Sequence, residues 1–201
     1  MRKFRRIIIL SLMIFALALP QGGCLFEPRE AQDPGSGGED TWVEPEVPRD
    51  IFKNLSSGLS EPGNSNYERT ISDGFIFVPM PKDEGEYPVL TGWDKEREMN
   101  MLDRLKSDYA VSREIFFGSG SENGGSFEVE NPEGDRPSFE GKYRITLNSG
   151  SEEVIYGGVA KFTLEAVGQG GWKLVEWEDK DILEEGYGTS GLLRGRLSGA
   201  E

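Results

Sequence analysis

The spacing of apolar residues changes along the chain from the period of a helix to the period of a strand. In the first half, four apolar side chains recur every three or four positions: Ile51, Phe52, Leu55 and Leu59. This spacing places them on one face of a predicted helix. A second, short helix is predicted from Ser65, where Ser65 and Glu68 are expected to form a capping box.

A strand and a third helix are predicted next. Asp73-Gly74 is interpreted as a turn into the strand "FIFVPM", which consists mainly of aromatic and β-branched residues. The following segment, "PKDEGEYPVLTG", is interpreted as a loop. It leads to a helix from about Trp93 to Ser107, with Thr91 and Asp94 as candidate caps. The apolar stripe of this helix consists of Met101, Leu102, Leu105 and Tyr109.

Beyond the third helix the pattern has the two-residue period of strands. The predicted strands are "VSREIFF", "SFEVE", "KYRITL", Glu153 to Val167, and "WKLVEWED". Gly157-Gly158 interrupts the long strand, and we predict a bend there. One of the two glycines is expected either to lack regular pairing or to lie too close to a neighbouring backbone for a side chain. The tail "YGTSGLLRGRL" is predicted to pair or pack as a short final piece.

Two tryptophans of the last strand are candidates for an interface. Strict alternation puts Trp172 and Trp177 on opposite faces, so one should fill the core and the other lie on the outer face of the sheet. An exposed indole there would favour a protein partner or a homodimer through the sheet face. The alternative is that the C-terminal tail, with Leu192 and Leu193, covers it.

The N-terminus has a third pattern. A basic cluster, Arg2, Lys3, Arg5 and Arg6, precedes an apolar run from Ile7 to Leu19 that only Ser11 interrupts. That run has the length of a signal-peptide core and is shorter than the roughly 20 residues that a membrane-spanning helix needs. Pro20 and Gly22-Gly23 end it, and Cys24, the single cysteine of the chain, follows directly.

The segment Gln21-Gly22-Gly23-Cys24 resembles the lipobox of bacterial lipoproteins, with Gln21 where that family usually has Leu. The resemblance implies that residues 1–23 are a signal peptide removed by signal peptidase II and that the sulfur of Cys24 receives a diacylglycerol. The new amine is often acylated as well, and two or more acyl chains anchor a protein stably. The alternative is a secretory signal with Ala16-Leu17-Ala18 as the cleavage motif, which would leave Cys24 as a free thiol.

Composition divides the mature chain into a tether and a domain. Residues 24–46 hold the lipidated cysteine and a stretch rich in Pro, Gly, Glu and Asp, predicted to be a flexible acidic tether. Residues 47–201 are long enough for a single domain. The chain has 36 acidic and 22 basic residues, and the signal peptide would remove four of the basic ones. So negative a protein repels phosphate backbones, which argues against nucleic acid as a partner.

The order of predicted elements resembles the nuclear transport factor 2-like fold over about residues 47–195. The resemblance is carried by Ile51/Phe52/Leu55, "DGFIFVP", Trp93, the strand interrupted by glycines and "GWKLVEWED". It implies an α+β domain in which three N-terminal helices pack on a strongly curved, mainly antiparallel sheet with a cone-like shape. A lipocalin-like barrel is the alternative, and three amphipathic helices ahead of the strands argue against it.

The residue types present limit the chemistry. The chain has no histidine, which excludes Ser-His-Asp and Cys-His catalysis and His-ligated zinc. No phosphate-binding loop, nucleophile elbow or EF-hand motif occurs, so neither a cofactor nor a metal is expected. Some relatives of the resembled fold use an Asp base and a Tyr oxyanion donor in the cone pocket, and the residues of those types here are Asp103, Tyr109, Tyr143 and Tyr156. Alternatively, the last two are ordinary sheet residues and Asp103 is a solvated helix charge.

The sequence thus predicts a membrane-anchored lipoprotein of the bacterial cell envelope, bound to the membrane through its N-terminal lipid. Its domain is expected to have a non-catalytic binding or structural role; the alternative is a small-molecule carrier, or an isomerase-like or dehydratase-like enzyme, that uses the cone pocket. Leu25 stands where enteric bacteria place the Asp that retains lipoproteins in the inner membrane. In a bacterium with two membranes we therefore expect the outer membrane, facing the periplasm. Asp, Tyr or Arg side chains that converge in an open interior would favour a carrier or an enzyme. An apolar, closed interior would favour a structural scaffold.

Overall fold

The computed structural model describes residues 41–118, 127–131, 134–168, 171–182 and 187–199. The predicted signal peptide, Cys24 and the rest of the predicted tether up to residue 40 lie outside the described residues. Within the described ranges, no helix combines the length and the hydropathy needed to cross a membrane.

Helices and strands alternate in the first half of the domain, and strands dominate the second half. The helices are α1 Asp50–Ser60, α2 Ser65–Thr70, α3 Pro81–Glu86, α4 Lys95–Asp108 and α5 Ser190–Leu197. The strands are β1 Ile71–Val78, β2 Trp93–Asp94, β3 Ser112–Phe117, β4 Glu128–Glu130, β5 Ser138–Asn148, β6 Glu153–Val167 and β7 Gly171–Ile182.

The strands form one curved sheet that does not close on itself. Its order is β2-β1-β7-β6-β5-β3, and β4 also pairs with β5. The neighbouring strands run antiparallel except β1 and β7, which are parallel. The α+β fold class predicted from the sequence, with helices on a curved and mainly antiparallel sheet, is confirmed.

The centre of the core is aromatic. Phe52 of α1 lies 5.1 Å from the ring centroid of Phe117 and 5.4 Å from that of Phe162. Trp177 of β7 packs edge-on against Phe162, with ring centroids 4.9 Å apart. These side chains are at most 1% exposed. Each large ring buries about 150–250 Å² of surface, so this cluster fastens α1 to the sheet.

Helix α4 begins where its predicted cap requires. The Asp94 carboxylate accepts a hydrogen bond from the backbone N–H of Arg97, at 3.0 Å, and satisfies one of the free N–H groups of the first turn. Trp93, predicted as the start of the helix, instead lies in β2 opposite Phe77.

Two predictions on the neighbouring segments are wrong. The capping box at Ser65 does not form, because Asn64 precedes α2 and Ser65 is already its first helical residue. The predicted loop "PKDEGEYPVLTG" instead contains α3 and a 3₁₀ turn, Pro88–Leu90. Both elements begin with proline, whose fixed φ suits the first helical position.

The predicted turn at Asp73-Gly74 is also wrong, because both residues lie inside β1. Ile71 pairs with Leu174, whereas Ile76 pairs with Glu176, so β1 has several residues more than β7 between these two pairs. The irregularity produces a bulge in the strand rather than a turn before it.

Strand β7 also contains a bulge, opposite Thr163 and Leu164 of β6. Because of it, the prediction that Trp172 and Trp177 lie on opposite faces is wrong. Thr163 of β6 pairs with Glu176, but the next residue, Leu164, pairs with Leu174. Val175 is therefore an extra residue that inverts the alternation. As a result Leu174 and Trp177 are both buried, at 0% and 1% exposed, and half-buried Trp172 packs against the same core.

Both glycines of the β6 pair have partners in β5, and Gly158 also pairs with Ile182 of β7. Gly157 pairs with Arg144 and Gly158 with Tyr143, but the register with β7 shifts just after Val159. A Cβ atom on Gly158 would lie 2.7 Å from the backbone oxygen of Asp181. The prediction that one glycine lies too close to a neighbouring backbone for a side chain is confirmed at Gly158.

The last residues of the predicted tether contact the domain. The backbone N–H of Val43 donates to Oδ1 of Asn54, at 2.9 Å, and Nδ2 of Asn54 donates back to the carbonyl of Val43, at 2.7 Å. Trp42 lies under the guanidinium of Arg69, with 3.9 Å from Cζ to the ring centroid. The structured part of the chain therefore extends at least to Thr41, ahead of the predicted domain boundary at residue 47.

Candidate functional site

The interior between the sheet, α4 and α5 contains a buried ion pair. Glu98 of α4 is 0% exposed and Arg194 of α5 is 2% exposed. The guanidinium binds the carboxylate through two hydrogen bonds, from Nε to Oε2 at 2.8 Å and from Nη2 to Oε1 at 2.7 Å. This bidentate geometry is the strongest that an Arg–carboxylate pair adopts.

Two aromatic donors complete the Glu98–Arg194 network, which consists of these two residues with Tyr67 and Trp93. The Tyr67 hydroxyl donates to Oε1 of Glu98 at 2.7 Å, and Nε1 of Trp93 donates to Oε2 at 2.8 Å. The guanidinium also stacks on Phe77, 4.0 Å from its ring centroid. Each carboxylate oxygen of Glu98 therefore accepts two hydrogen bonds, and a buried charge pair is stable only with such additional bonds.

Burial controls the protonation of this network. Burial raises the pKa of Tyr67 well above its ordinary value, and the Glu98 charge raises it further. Tyr67 thus remains a proton donor. Burial lowers the pKa of Arg194, but the attraction of Glu98 outweighs it, so that this pKa is raised overall. Arg194 therefore keeps its charge within this network, and Tyr67 keeps its proton.

A second buried carboxylate, Asp179, binds the first turn of α5. It accepts hydrogen bonds from Oγ of Ser190, at 2.8 Å, and from the backbone N–H of Gly191, at 3.0 Å. Nε1 of Trp177 donates to its other oxygen at 3.0 Å. The Tyr143 hydroxyl accepts from the Ser190 N–H at 2.7 Å. These contacts satisfy N–H groups that a helix leaves free at its start.

Asp179 has an altered acidity because of its position. Burial raises its pKa above the ordinary value, and the charge of Arg194 opposes this only in part. Arg194 binds Glu98 through two hydrogen bonds, whereas the hydrogen-bond donors to Asp179 are the neutral groups of Ser190, Gly191 and Trp177. Burial likewise raises the pKa of Tyr143 well above its ordinary value, and the Asp179 charge adds to the effect.

We expect Asp179 to lower the stability of the protein as the pH rises through the folded pKa of its carboxyl. The folded state binds the proton of Asp179 more tightly than the unfolded state, in which the pKa of this carboxyl is close to 3.8. The bound proton therefore stabilises the fold fully below pH 3.8, and this stabilisation is lost as the pH rises through the folded pKa. The free energy of unfolding of the wild type minus that of Asp179→Asn should be larger at about pH 4 than at about pH 7. Urea unfolding at both pH values measures it; a difference that is constant or grows with pH contradicts the expectation.

The four residues proposed for a pocket do not come together. Asp103 is exposed on α4 and accepts a hydrogen bond from Asn64. Tyr109 is half-buried at the end of α4. Tyr143 and Tyr156 are buried in the sheet, where Tyr156 accepts a 3.3 Å hydrogen bond from Nη1 of Arg196. Tyr143 alone of the four contacts the buried carboxylates of the interior.

Sequence reasoning missed the residues that do converge, Glu98 and Arg194. One signal could have revealed Glu98. It stands three, four and seven positions before Met101, Leu102 and Leu105, so it lies on the apolar stripe of α4 and not on the solvated face. Arg194 had no such signal, because the short tail that carries it has no clear period.

The buried side-chain N and O atoms of the Glu98–Arg194 network all have hydrogen-bond partners. Among the described residues, the one buried side-chain N or O atom without a hydrogen bond is Oδ1 of Asn64, which lies outside the Glu98–Arg194 network. The described part of the chain also contains no group of three or more acidic or cysteine side chains that could hold a metal ion.

The outer face of the sheet has charged side chains and also the exposed apolar side chains Ile76, Phe116 and Ile182. Its charged side chains form ion pairs, with Lys161 Nζ 2.7 Å from Glu130 and Lys180 Nζ 2.6 Å from Glu178. Trp177, a predicted interface residue, is 1% exposed and has no area to offer a partner.

The surface of the described residues includes the following two clefts. The first, of about 560 Å³, is lined by Val89, Trp93, Arg97, Asn100, Met101, Asp103, Arg104, Leu197 and Ser198. The arginines of this cleft donate hydrogen bonds to backbone carbonyls. Nη1 of Arg97 donates to the carbonyl of Val89, and Nη1 of Arg104 donates to the carbonyl of Leu197, both at 2.9 Å. The second, called here the Trp42–Trp172 cleft, has about 440 Å³ and is lined by Trp42, Glu44, Pro45, Arg69, Val167, Gly171, Trp172 and Lys173.

Comparison with known proteins gives similarity in structure only. No family model matches this chain, and no curated protein matches it. An NTF2-like superfamily protein from Salmonella enterica is similar at 10% identity and a TM-score of 0.49, over 69% of this chain and 90% of that one.

Two further solved structures are comparable. A protein of unknown function from Mycobacterium tuberculosis has 11% identity and a TM-score of 0.48 over 67% of this chain and 69% of its own. An NTF2-like protein from Anabaena variabilis has 16% identity and a TM-score of 0.40 over 67% and 85%. At these values the similarities carry no argument about function.

Proposed function

We propose that this protein is a lipoprotein of the bacterial cell envelope whose domain has a non-catalytic binding or structural role. One observation carries the second half of the proposal. Among the described residues, the buried carboxylates Glu98 and Asp179 both accept several hydrogen bonds from protein donors, so their oxygens are already occupied.

A general acid or base must reach the substrate within hydrogen-bond distance. Glu98 cannot do so, because Arg194, Tyr67 and Trp93 occupy both of its oxygens. Asp179, at 4% exposed, is occupied by α5 in the same way. If α5 moved away to admit a ligand, Glu98 and Asp179 would lose the hydrogen-bond donors that this helix supplies. The arrangement therefore favours a scaffold over a carrier or an isomerase-like enzyme.

The anchor half of the proposal is supported by the sequence. A basic cluster and an apolar run precede Gly22-Gly23-Cys24, and no second cysteine exists with which Cys24 could form a disulfide within the chain. Acyl chains on Cys24 would hold the domain at a membrane surface. In a bacterium with two membranes the proposed location is the outer membrane, on the periplasmic side.

Cys24→Ser tests the anchor, with expression in a bacterium that processes lipoproteins. The wild-type protein should be extracted by detergent, begin at Cys24 and carry the mass of its acyl chains. The variant should lose this mass and leave the membrane fraction, because no sulfur remains to accept the diacylglycerol. Intact-mass spectrometry and fractionation measure both.

Gln21→Leu is the matched control for the anchor test. It brings the motif to the usual lipobox and should be processed at least as well as the wild type. A mature N-terminus at Leu19 with a free thiol on Cys24 contradicts the proposal, and so does an unchanged membrane fraction in Cys24→Ser.

A further inference from the structure

We propose that the Trp42–Trp172 cleft is a membrane-docking surface. It contacts the lipid headgroups of the same bilayer in which the acyl chains of Cys24 are anchored. The inference depends on the proposed lipid anchor and adds to it the face of the domain that meets the membrane.

The cleft has the residue types that settle at a bilayer interface. Trp42 and Trp172 are half-buried, so each indole has an exposed part that can enter the headgroup layer. Tryptophan is enriched at this depth, because its ring is apolar and its N–H group requires a polar partner. Nε1 of Trp42 already has such a partner in Glu44, at 3.1 Å.

Two cations frame the indoles. Arg69 is exposed and stacks on Trp42, and Lys173 adjoins Trp172 on β7. Lipid phosphates are the complementary charge for both groups, and a basic residue close to an anionic membrane contributes about 1 kcal/mol. Glu44 is the one carboxylate that lines the cleft, so the cations outnumber it here although the chain as a whole is acidic.

The path of the chain brings this cleft close to the membrane. Trp42 is the second described residue, and Thr41 and Cys24 are 17 positions apart. If those residues behave as the predicted flexible tether, their root-mean-square span is about 20–25 Å. The chain enters the described domain at this cleft, so the cleft is the face that the anchor holds nearest to the bilayer. Val43 and Val47 of the same segment are 37% and 53% exposed and add apolar surface.

Fluorescence quenching of the acylated full-length protein in vesicles tests the docking. The vesicles contain phosphatidylcholine, phosphatidylglycerol and a lipid that carries a spin label on its headgroup. Emission from Trp42 and Trp172 should be quenched by the label, whereas Trp93 and Trp177, each 1% exposed, should be shielded. Trp42→Phe and Trp172→Phe should each lose part of the quenching, and the double variant should lose all of it.

A matched control uses an exposed site far from the cleft. Phe116 is 45% exposed and lies beside Arg144, which pairs with Gly157. Gly157 is ten positions along β6 from Val167 at the cleft, which corresponds to roughly 30 Å. Phe116→Trp, introduced into the double variant, should therefore show no quenching.

Each outcome decides one of the two proposals. Equal quenching at Phe116→Trp and at the cleft overturns the docking surface, because contact with the membrane would then be unoriented. Absence of quenching from acylated protein bound to the vesicles also overturns it and leaves the anchor standing. Protein without acyl mass overturns the anchor, and the docking proposal with it.

Discussion

Arg194→Met is expected to lower the free energy of unfolding by about 3–5 kcal/mol, because it leaves a buried carboxylate without its counter-ion. Glu98 is 0% exposed, so its carboxylate has no contact with solvent that could replace the guanidinium. Methionine retains much of the volume of arginine, so the loss comes from the charge rather than from a cavity. Urea unfolding followed by circular dichroism measures the change.

A double-mutant cycle separates the pair from the packing of α5. Glu98→Gln should also destabilise, since Arg194 would lose its counter-charge, but the double variant should cost less than the two single changes added together. Arg196→Met is the matched control on the same helix, because Arg196 is exposed and its hydrogen bond to Tyr156 is long, at 3.3 Å. A loss below about 1 kcal/mol for Arg194→Met, as in Arg196→Met, would show that the pair behaves like a solvated surface pair.

Gly158→Ala is expected to lower the free energy of unfolding by about 1–3 kcal/mol, the usual cost of an overpacked core. The added Cβ would lie 2.7 Å from the backbone oxygen of Asp181 and 2.8 Å from the Tyr143 hydroxyl. Neither obstacle yields easily, because the hydroxyl also accepts the Ser190 N–H at the start of α5. Thermal and urea unfolding measure the loss.

Two further variants bracket this result. Gly158→Val raises β-propensity, which is worth up to about 1 kcal/mol, and should still destabilise because the clash is larger. Gly85→Ala is the matched control: nothing lies within 4 Å of its Cβ position on α3, so it should be neutral or stabilise by up to about 1 kcal/mol. A Gly158→Val protein that melts at or above the wild-type temperature would contradict the close approach of β6 and β7.

The sequence predicted the elements whose pattern is local. The apolar period of Ile51 to Leu59 gives α1, and the alternation from Glu153 to Val167 gives β6 with the bounds observed. Asp94 signals the start of α4 because a cap acts within one turn. Such elements are predictable because the residues that define them are neighbours in the chain.

Bulges and caps were harder to predict, because they depend on a partner strand or on a competing contact. Alternation along β7 cannot reveal the extra residue Val175, which exists only relative to β6. Ser65 and Glu68 have the right spacing for a capping box, but the helix begins one position earlier than that box requires. The consequence for Trp177 is large, since one inserted residue moves it from a predicted surface candidate into the core.

The α+β class, most of the elements and the N-terminal pattern from which the lipid anchor is proposed are all predictable from local patterns in the sequence. The residues that fill the interior are not, because they are brought together by folding. Glu98 and Arg194 are 96 positions apart, and each alone is an ordinary charged residue on a helix. A charge can be buried only if its partner is positioned to meet it, and folding of the sheet between α4 and α5 is what brings the two together.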